Sequence, residues 1–148
     1  MIDLLKSLFF AGSGGPRGEV PTEIAVAALL VDAARADGDY APAERAAVDV
    51  FLQRMFALGP DDARALRTQG EEAQANAPDI VRFTRVIKMG LSEEERVGVM
   101  EGLWQIVLAD DHRDPEENAL MRHLAPLLAV SDHDSARARQ RAMAGRAG

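Results

Sequence analysis

The chain has 148 residues, of which 47% are hydrophobic, 28% charged and 5% aromatic, and its formal net charge at pH 7 is −7. A single chain of this length can bury one core without cross-links, and a composition rich in alanine and leucine but poor in aromatics favours helices. The negative charge argues against nucleic acid as a partner, because phosphate binding needs a basic face, and the lack of cysteine excludes disulfides, thiolate zinc sites and thiol catalysis.

Residues 1–20 are predicted to stand apart from the domain that follows. Apolar residues recur at helical spacing at Ile2, Leu5, Leu8 and Phe9, and the glycines and proline of AGSGGPRGEV then indicate a flexible linker. The short amphipathic helix has two interpretations: it packs on its own domain or on a second copy in a homodimer, or it docks on a membrane surface or a partner protein. A single lysine provides little attraction to anionic lipid, so we expect the first.

No apolar run approaches the ~20 residues that a helix needs to cross a bilayer. The N-terminus also lacks the long apolar region of a cleavable signal peptide. The chain is therefore expected to be cytoplasmic.

The domain is expected to cover residues 21–148. Thr22–Ala36 begins with threonine, a favourable N-cap, and is apolar nearly all round, which predicts a helix buried on most sides. A second, amphipathic helix follows a short acidic turn and is expected to end at Gly59 and Pro60. Polar residues 61–77 then predict a surface helix that Gly70 could interrupt.

The second half of the chain is also predicted to be helical. A helix is predicted from Pro78, and Ser92–Ala109 begins with the spacing of a capping box and continues with a broad apolar surface, which makes it a second central helix. Two further helices are predicted over Pro115–Ala129 and from Ser131 onward. No segment shows the alternation of apolar and polar residues that is typical of a strand. The sequence therefore predicts an all-α domain of about seven helices, counting the N-terminal one, around two central helices.

Two acidic turns, which we call the first and second corners, join these helices. The first is ADGDYAPAERAAV (residues 36–48) and the second is ADDHRDPEENALM (residues 109–121). Aligned, the corners pair Asp37 with Asp110, Gly38 with Asp111, Asp39 with His112, Pro42 with Pro115, and Glu44 with Glu117. This is an internal helix-corner-helix repeat, and two such hairpins packed face to face would bring their corners near one another or to related positions.

Helix capping explains part of each corner. Gly38 can adopt the left-handed conformation that closes a helix, and Pro42 occupies a first helical position where no amide hydrogen is needed. Glu44 and Glu117 sit in first turns, where the helix dipole favours negative charge, and Asp114 is a good N-cap.

The remaining carboxylates lie where the dipole disfavours them, at the C-terminal ends of helices: Asp37, Asp39, Asp110 and Asp111. A divalent cation such as Ca²⁺ or Mg²⁺ would compensate, since both bind carboxylate oxygens converging from turns. The spacing is not that of an EF-hand, and His112 has no second histidine at ligand spacing for a transition metal. Solvated capping residues remain the alternative.

The sequence from FTRVIKMGLSEEERVGVMEGLWQIVLADDHRDPEENALM onward, and more broadly Pro21–Met143, resembles the TerB-like (tellurite-resistance protein B-like) family, in its uncharacterised bacterial branch. The family pattern ADG-x-x-(D/S/A)-P-x-E is complete at the first corner and has Asp111 in place of glycine at the second. The resemblance implies an all-helical domain with two central helices and a cation-binding acidic patch, and no enzymatic activity. A similar domain forms the N-terminal part of the co-chaperone DjlA, which also implies an interaction role.

The expected function is therefore that of a non-enzymatic module, related to tellurite or stress resistance, that binds a divalent cation or a basic partner surface through its corners. The candidate ligands are Asp37, Asp39, Glu44, Asp110, Asp111, Asp114 and Glu117. The alternative is a metal-free adaptor that binds an unidentified protein through the N-terminal helix and exposed helix faces.

Overall fold

The computed structural model describes residues 20–36, 38–109 and 115–147, and for residues 115–117, 146 and 147 it describes the backbone alone. Over these ranges the chain forms no strand and seven helices, which confirms the all-α fold: α1 (Thr22–Arg35), α2 (Pro42–Phe56), α3 (Pro60–Asn76), α4 (Val81–Gly90), α5 (Glu93–Leu108), α6 (Pro115–Leu127) and α7 (Asp132–Ala147). The predicted N-terminal helix, which the expected number included, lies outside the described residues.

Helix α1 is the centre of the domain. Nine of its residues are buried, among them every residue from Ala25 to Val31, and it packs against α2, α3, α4 and α5. Helix α5 is the second central helix and contacts α1, α2, α6 and α7. The prediction of two central helices is confirmed, although Thr22 is the first helical residue rather than the N-cap, a position that Pro21 occupies without a side-chain hydrogen bond.

Helix α3 is continuous, and Gly70 does not interrupt it. A Cβ atom at this position would lie 2.6 Å from the Cβ of Ala27 and 2.7 Å from the Ala27 carbonyl carbon. Gly70 is therefore required because the backbones of α1 and α3 approach closely. This contact anchors a helix whose sequence is otherwise mostly polar.

Helix α2 ends earlier than its sequence suggests. Ala57 has a φ of 53° and closes the helix in the left-handed conformation, while the amide of Leu58 donates to the carbonyl of Gln53 at 3.0 Å. Gly59 and Pro60, expected to end α2, instead begin α3 as its N-cap and first helical residue.

The same ending recurs after α6. Ala129 has a φ of 55°, and the amide of Val130 donates to the carbonyl of Ala125 at 2.8 Å. The internal repeat therefore extends beyond the hairpins to two units of three helices, α1–α2–α3 and α5–α6–α7. In each unit the third helix packs against the first.

The two units meet with α2 and α5 side by side and running in opposite directions. Met55, near the end of α2, lines one cavity with Glu95 from the first turn of α5, whereas Ala43, in the first turn of α2, lines an adjoining groove with Ala109, the residue after α5. Since α1 and α2 form a hairpin, α1 and α5 point the same way. Both corners therefore begin at the same end of the domain.

We expect Gly70→Ala to destabilise the protein by about 1–3 kcal/mol, because the added methyl group has no room beside Ala27. The matched control is Gly98→Ala in α5, where a Cβ would meet nothing within 4 Å. The control should gain roughly 0.5–1 kcal/mol, because alanine has the higher helix propensity. Urea unfolding measures both, and equal stabilities of the two variants would contradict the close approach.

Candidate functional site

The first corner begins with a left-handed glycine. The amide of Gly38 donates to the carbonyl of Arg35 at 2.9 Å, and Gly38 has a φ of 83°. Residues with a Cβ rarely adopt this conformation. The predicted role of Gly38 in closing α1 is confirmed.

The corner ends with a capping interaction from Glu44. This side chain is only 2% exposed, and its Oε1 accepts a hydrogen bond of 2.9 Å from the amide of Ala41. Ala41 has no side-chain acceptor to return the interaction, so half of a capping box forms. Pro42 is the first helical residue, as predicted. One oxygen of Glu44, a candidate metal ligand, is thus engaged with the backbone.

A polar network, which we call the corner network, holds the first corner against α3. The hydroxyl of Tyr40 donates to Oε2 of Glu71 at 2.6 Å, and the guanidinium of Arg67 donates to the same oxygen at 2.8 Å. Arg67 also forms an ion pair of 2.6 Å with Asp49 of α2. A tyrosine in a turn would ordinarily be exposed, but the ring of Tyr40 is half-buried and packs against the core.

Two arginines enclose the Tyr40 ring. The guanidinium carbon of Arg35 lies 5.0 Å from the ring centroid, and that of Arg45 lies 5.4 Å from it. Arg35 also donates to the side chain of Gln74, which donates in turn to Asp32. The tyrosine therefore receives cation–π contacts from both flanking helices.

The corner network alters the acidity of its members. Burial raises the pKa of Tyr40, and its hydrogen bond to Glu71 raises it further. Burial alone would raise the pKa of Glu71, but the hydrogen bonds from Tyr40 and Arg67 outweigh burial and hold the pKa below its ordinary value. Glu71 is consequently a carboxylate at neutral pH, and it anchors the corner as an ion.

The structure places only some of the candidate ligands. Asp37, Asp110, Asp111 and Asp114, together with His112, lie outside the described residues, and Glu117 is described by its backbone in the first turn of α6. Asp39 is exposed on the first corner. Within the described ranges no three His, Cys, Asp or Glu side chains are grouped so that they could hold a metal ion. The complete ligand set therefore stays a prediction.

The positions where the corners meet the helices are nevertheless close together. Ala43, the residue after Pro42 of the first corner, and Ala109, the first residue of the second corner, line one groove of about 460 Å³. Residues 110–114 of the second corner lie outside the described ranges, so the expectation that the corners lie near one another or at related positions stays a prediction. The described lining of this groove is mostly apolar, and Arg54 and Gln105 are its polar side chains.

A family model described as "Tellurite resistance protein TerB" matches residues 23–140 of the chain. The chain belongs to the TerB family. No similar curated protein was found, and no similar solved structure was found. The match covers both corners and all seven helices in whole or in part, so the TerB domain is the folded unit described above.

Other features of the sequence have structural roles in this TerB domain. Trp104 is 7% exposed and belongs to the core. The predicted cap at Ser92 forms with Glu95. Among the described helices, none has the length and hydrophobicity required to cross a membrane.

The spacing of residues in the sequence does not predict the contacts of the corner network. Arg67 and Glu71 are spaced to pair along α3, which is a local signal. Their contacts with Asp49 and Tyr40 join residues 18 and 31 positions apart, and spacing along one helix cannot reveal such contacts.

We expect Glu71→Gln to lower the stability at pH 7 by about 1–2 kcal/mol, because hydrogen bonds to a charged acceptor are replaced by bonds to a neutral one. The pKa of Glu71 is lower in the folded than in the unfolded protein, so its contribution is complete above the ordinary value of 4.5 and is lost as the pH falls through the folded value. The difference between variant and parent should therefore shrink as the pH falls below 4.5.

Urea unfolding at a series of pH values measures this difference. The matched control is Glu72→Gln, which changes the neighbouring, exposed glutamate of α3. The control should follow the parent at every pH, and a Glu71→Gln variant with the same behaviour as the control would contradict the role of the corner network.

Proposed function

We propose that this TerB-family protein is a non-enzymatic, tellurite- or stress-resistance-related module that binds a divalent cation, Ca²⁺ or Mg²⁺, between its two acidic corners. The observation that supports the proposal is that Ala43, which belongs to the first corner, and Ala109, the first residue of the second corner, line one groove. The candidate ligands are carboxylates, the donors that these hard cations prefer.

The dipoles of α1 and α5 would favour the binding of a cation. Helices α1 and α5 point the same way, so the partial negative charges of their C-terminal ends lie at the same end of the domain. Asp37 follows α1 and Asp110 follows α5, so each adds a carboxylate to a region that is already negative. A bound cation would relieve both repulsions at once.

The first corner has the rigidity that a binding site needs. Gly38 sets the direction of the backbone, Glu44 binds the amide of Ala41, and Tyr40 is anchored on Glu71. Asp39 lies between these anchored positions, so little conformational freedom would be lost when a cation binds.

A metal-free adaptor is the second candidate. It is favoured by apolar side chains left open on the surface, in particular Met89, which is 81% exposed, and Val81, which is 49% exposed. Both belong to α4. An adaptor of this kind, or one whose corners bind a basic protein surface, would not respond to metal ions.

We expect millimolar Ca²⁺ or Mg²⁺ to raise the melting temperature of EDTA-treated protein by several degrees, because a ligand at ~100 times its Kd stabilises the folded state by about 2.7 kcal/mol. Thermal melts with EDTA alone and with each metal, Zn²⁺ and Mn²⁺ included, measure the effect. No shift with any metal would exclude the cation and leave the adaptor.

The site is then located by substitution. Asp37→Asn and Asp110→Asn should each reduce the metal-dependent shift, and the double variant should abolish it. Asp61→Asn, which changes an exposed aspartate in the first turn of α3, is the control and should keep the full shift. A shift that persists in the double variant would place the cation elsewhere.

A further inference from the structure

Helix α2 has two apolar faces. One packs into the core through Val48 and Leu52, which are completely buried. The other face contains Ala43, Ala46 and Val50, which are neighbours on the helix surface because they are three or four residues apart. All three are exposed, and Val50 retains 43% of its accessible surface. Within the described residues this second face lines an open groove.

The groove follows α2 along most of its length. Its first part, of about 460 Å³, lies between α2, the end of α5 and α7, with Leu108 and Ala142 among its lining residues. It adjoins a second cavity of about 270 Å³ that shares Arg54 and Gln105 and is also lined by Phe51 and Met55. From Ala43 to Met55 the groove extends roughly 18 Å, at 1.5 Å per helical residue.

We propose that residues 1–10 of this chain dock in the α2–α5–α7 groove as an amphipathic helix. A helix of ten residues is about 15 Å long, which is close to the length of the groove. Its apolar residues, Ile2, Leu5, Leu8 and Phe9, are large, whereas many groove residues are alanine or glycine. Large side chains on one helix and small ones on the other allow close packing.

The position of the chain supports an intramolecular occupant. The described chain begins at Val20, just before α1, and α1 begins at the end of the domain where Met55 and Glu95 line the groove. Residues 11–20 would connect the docked segment to this point. Ten residues span at most ~35 Å, and a glycine-rich linker of that length has a root-mean-square extension of about 16–19 Å.

With its apolar face in the groove, the segment would keep Asp3 and Lys6, which lie on the opposite side, in contact with solvent. A tether of this length also provides an effective concentration in the millimolar range, so weak intrinsic affinity is sufficient.

The experiment uses paramagnetic broadening in the full chain. Because the protein has no cysteine, Ser7→Cys provides a single attachment point for a nitroxide label. Amide signals of Ala46, Val50 and Gln105 should lose most of their intensity, whereas those of Arg82 and Arg85 on the exposed face of α4 should keep theirs. Uniform broadening of both groups would overturn the proposal.

Two further measurements separate the remaining outcomes. In a mixture of labelled protein without ¹⁵N and ¹⁵N protein without label, broadening of the groove signals would show that a second copy is the occupant, and this would overturn the intramolecular proposal.

Introducing Ala46→Asp into the labelled chain should restore the signals of Val50 and Gln105, because it places a charge in the apolar groove. Ala46→Ser is the matched control and should leave them broadened; broadening that survives Ala46→Asp would place the segment outside the groove.

Discussion

The close approach of α1 and α3 at Gly70 is the contact on which the first corner depends. With no Cβ between them, the backbone of α3 lies against Ala27 of the central helix. This position brings Arg67, Glu71 and Gln74 of α3 within reach of residues at the end of α1 and in the corner. A packing contact in the core thus determines which polar groups support the surface turn.

The network that results places an ionised carboxylate at its centre. Glu71 accepts from Tyr40 and from Arg67, and Arg67 reaches across to Asp49 of α2. Because these groups belong to the corner and to two helices, the network connects the corner with α2 and α3. The four members of the corner network, Tyr40, Asp49, Arg67 and Glu71, are not among the residues proposed to bind the cation.

The duplication of a three-helix unit has two consequences for function. Helices α1 and α5 point the same way, so the negative ends of their dipoles lie at one end of the domain. Helices α2 and α5 lie side by side, and the space that remains between them and α7 is the groove proposed for residues 1–10. Both proposals therefore depend on how the two units meet.

The sequence alone determined the features that depend on neighbouring residues. Apolar spacing indicated the helices and the all-α fold, the Ser92 and Glu95 spacing indicated a capping box, and Gly38 indicated a left-handed turn, because each is an interaction within about one helical turn. The repeated corners and the family resemblance were also visible. In contrast, the sequence indicated that α2 ends at Gly59, whereas Ala57 closes it. The sequence could not show this, because an alanine gives no sign of a left-handed conformation.

Only the tertiary structure decided which residues of different helices contact one another. Gly70 resembles a helix breaker until Ala27 is seen beside it, and Tyr40 resembles an exposed turn residue until Glu71, Arg35 and Arg45 surround it. The second apolar face of α2 was likewise missed, because alanines at helical spacing do not show whether they face a core or an open groove. These contacts join residues far apart in sequence, so they arise from the way the helices pack and not from the pattern of any single helix.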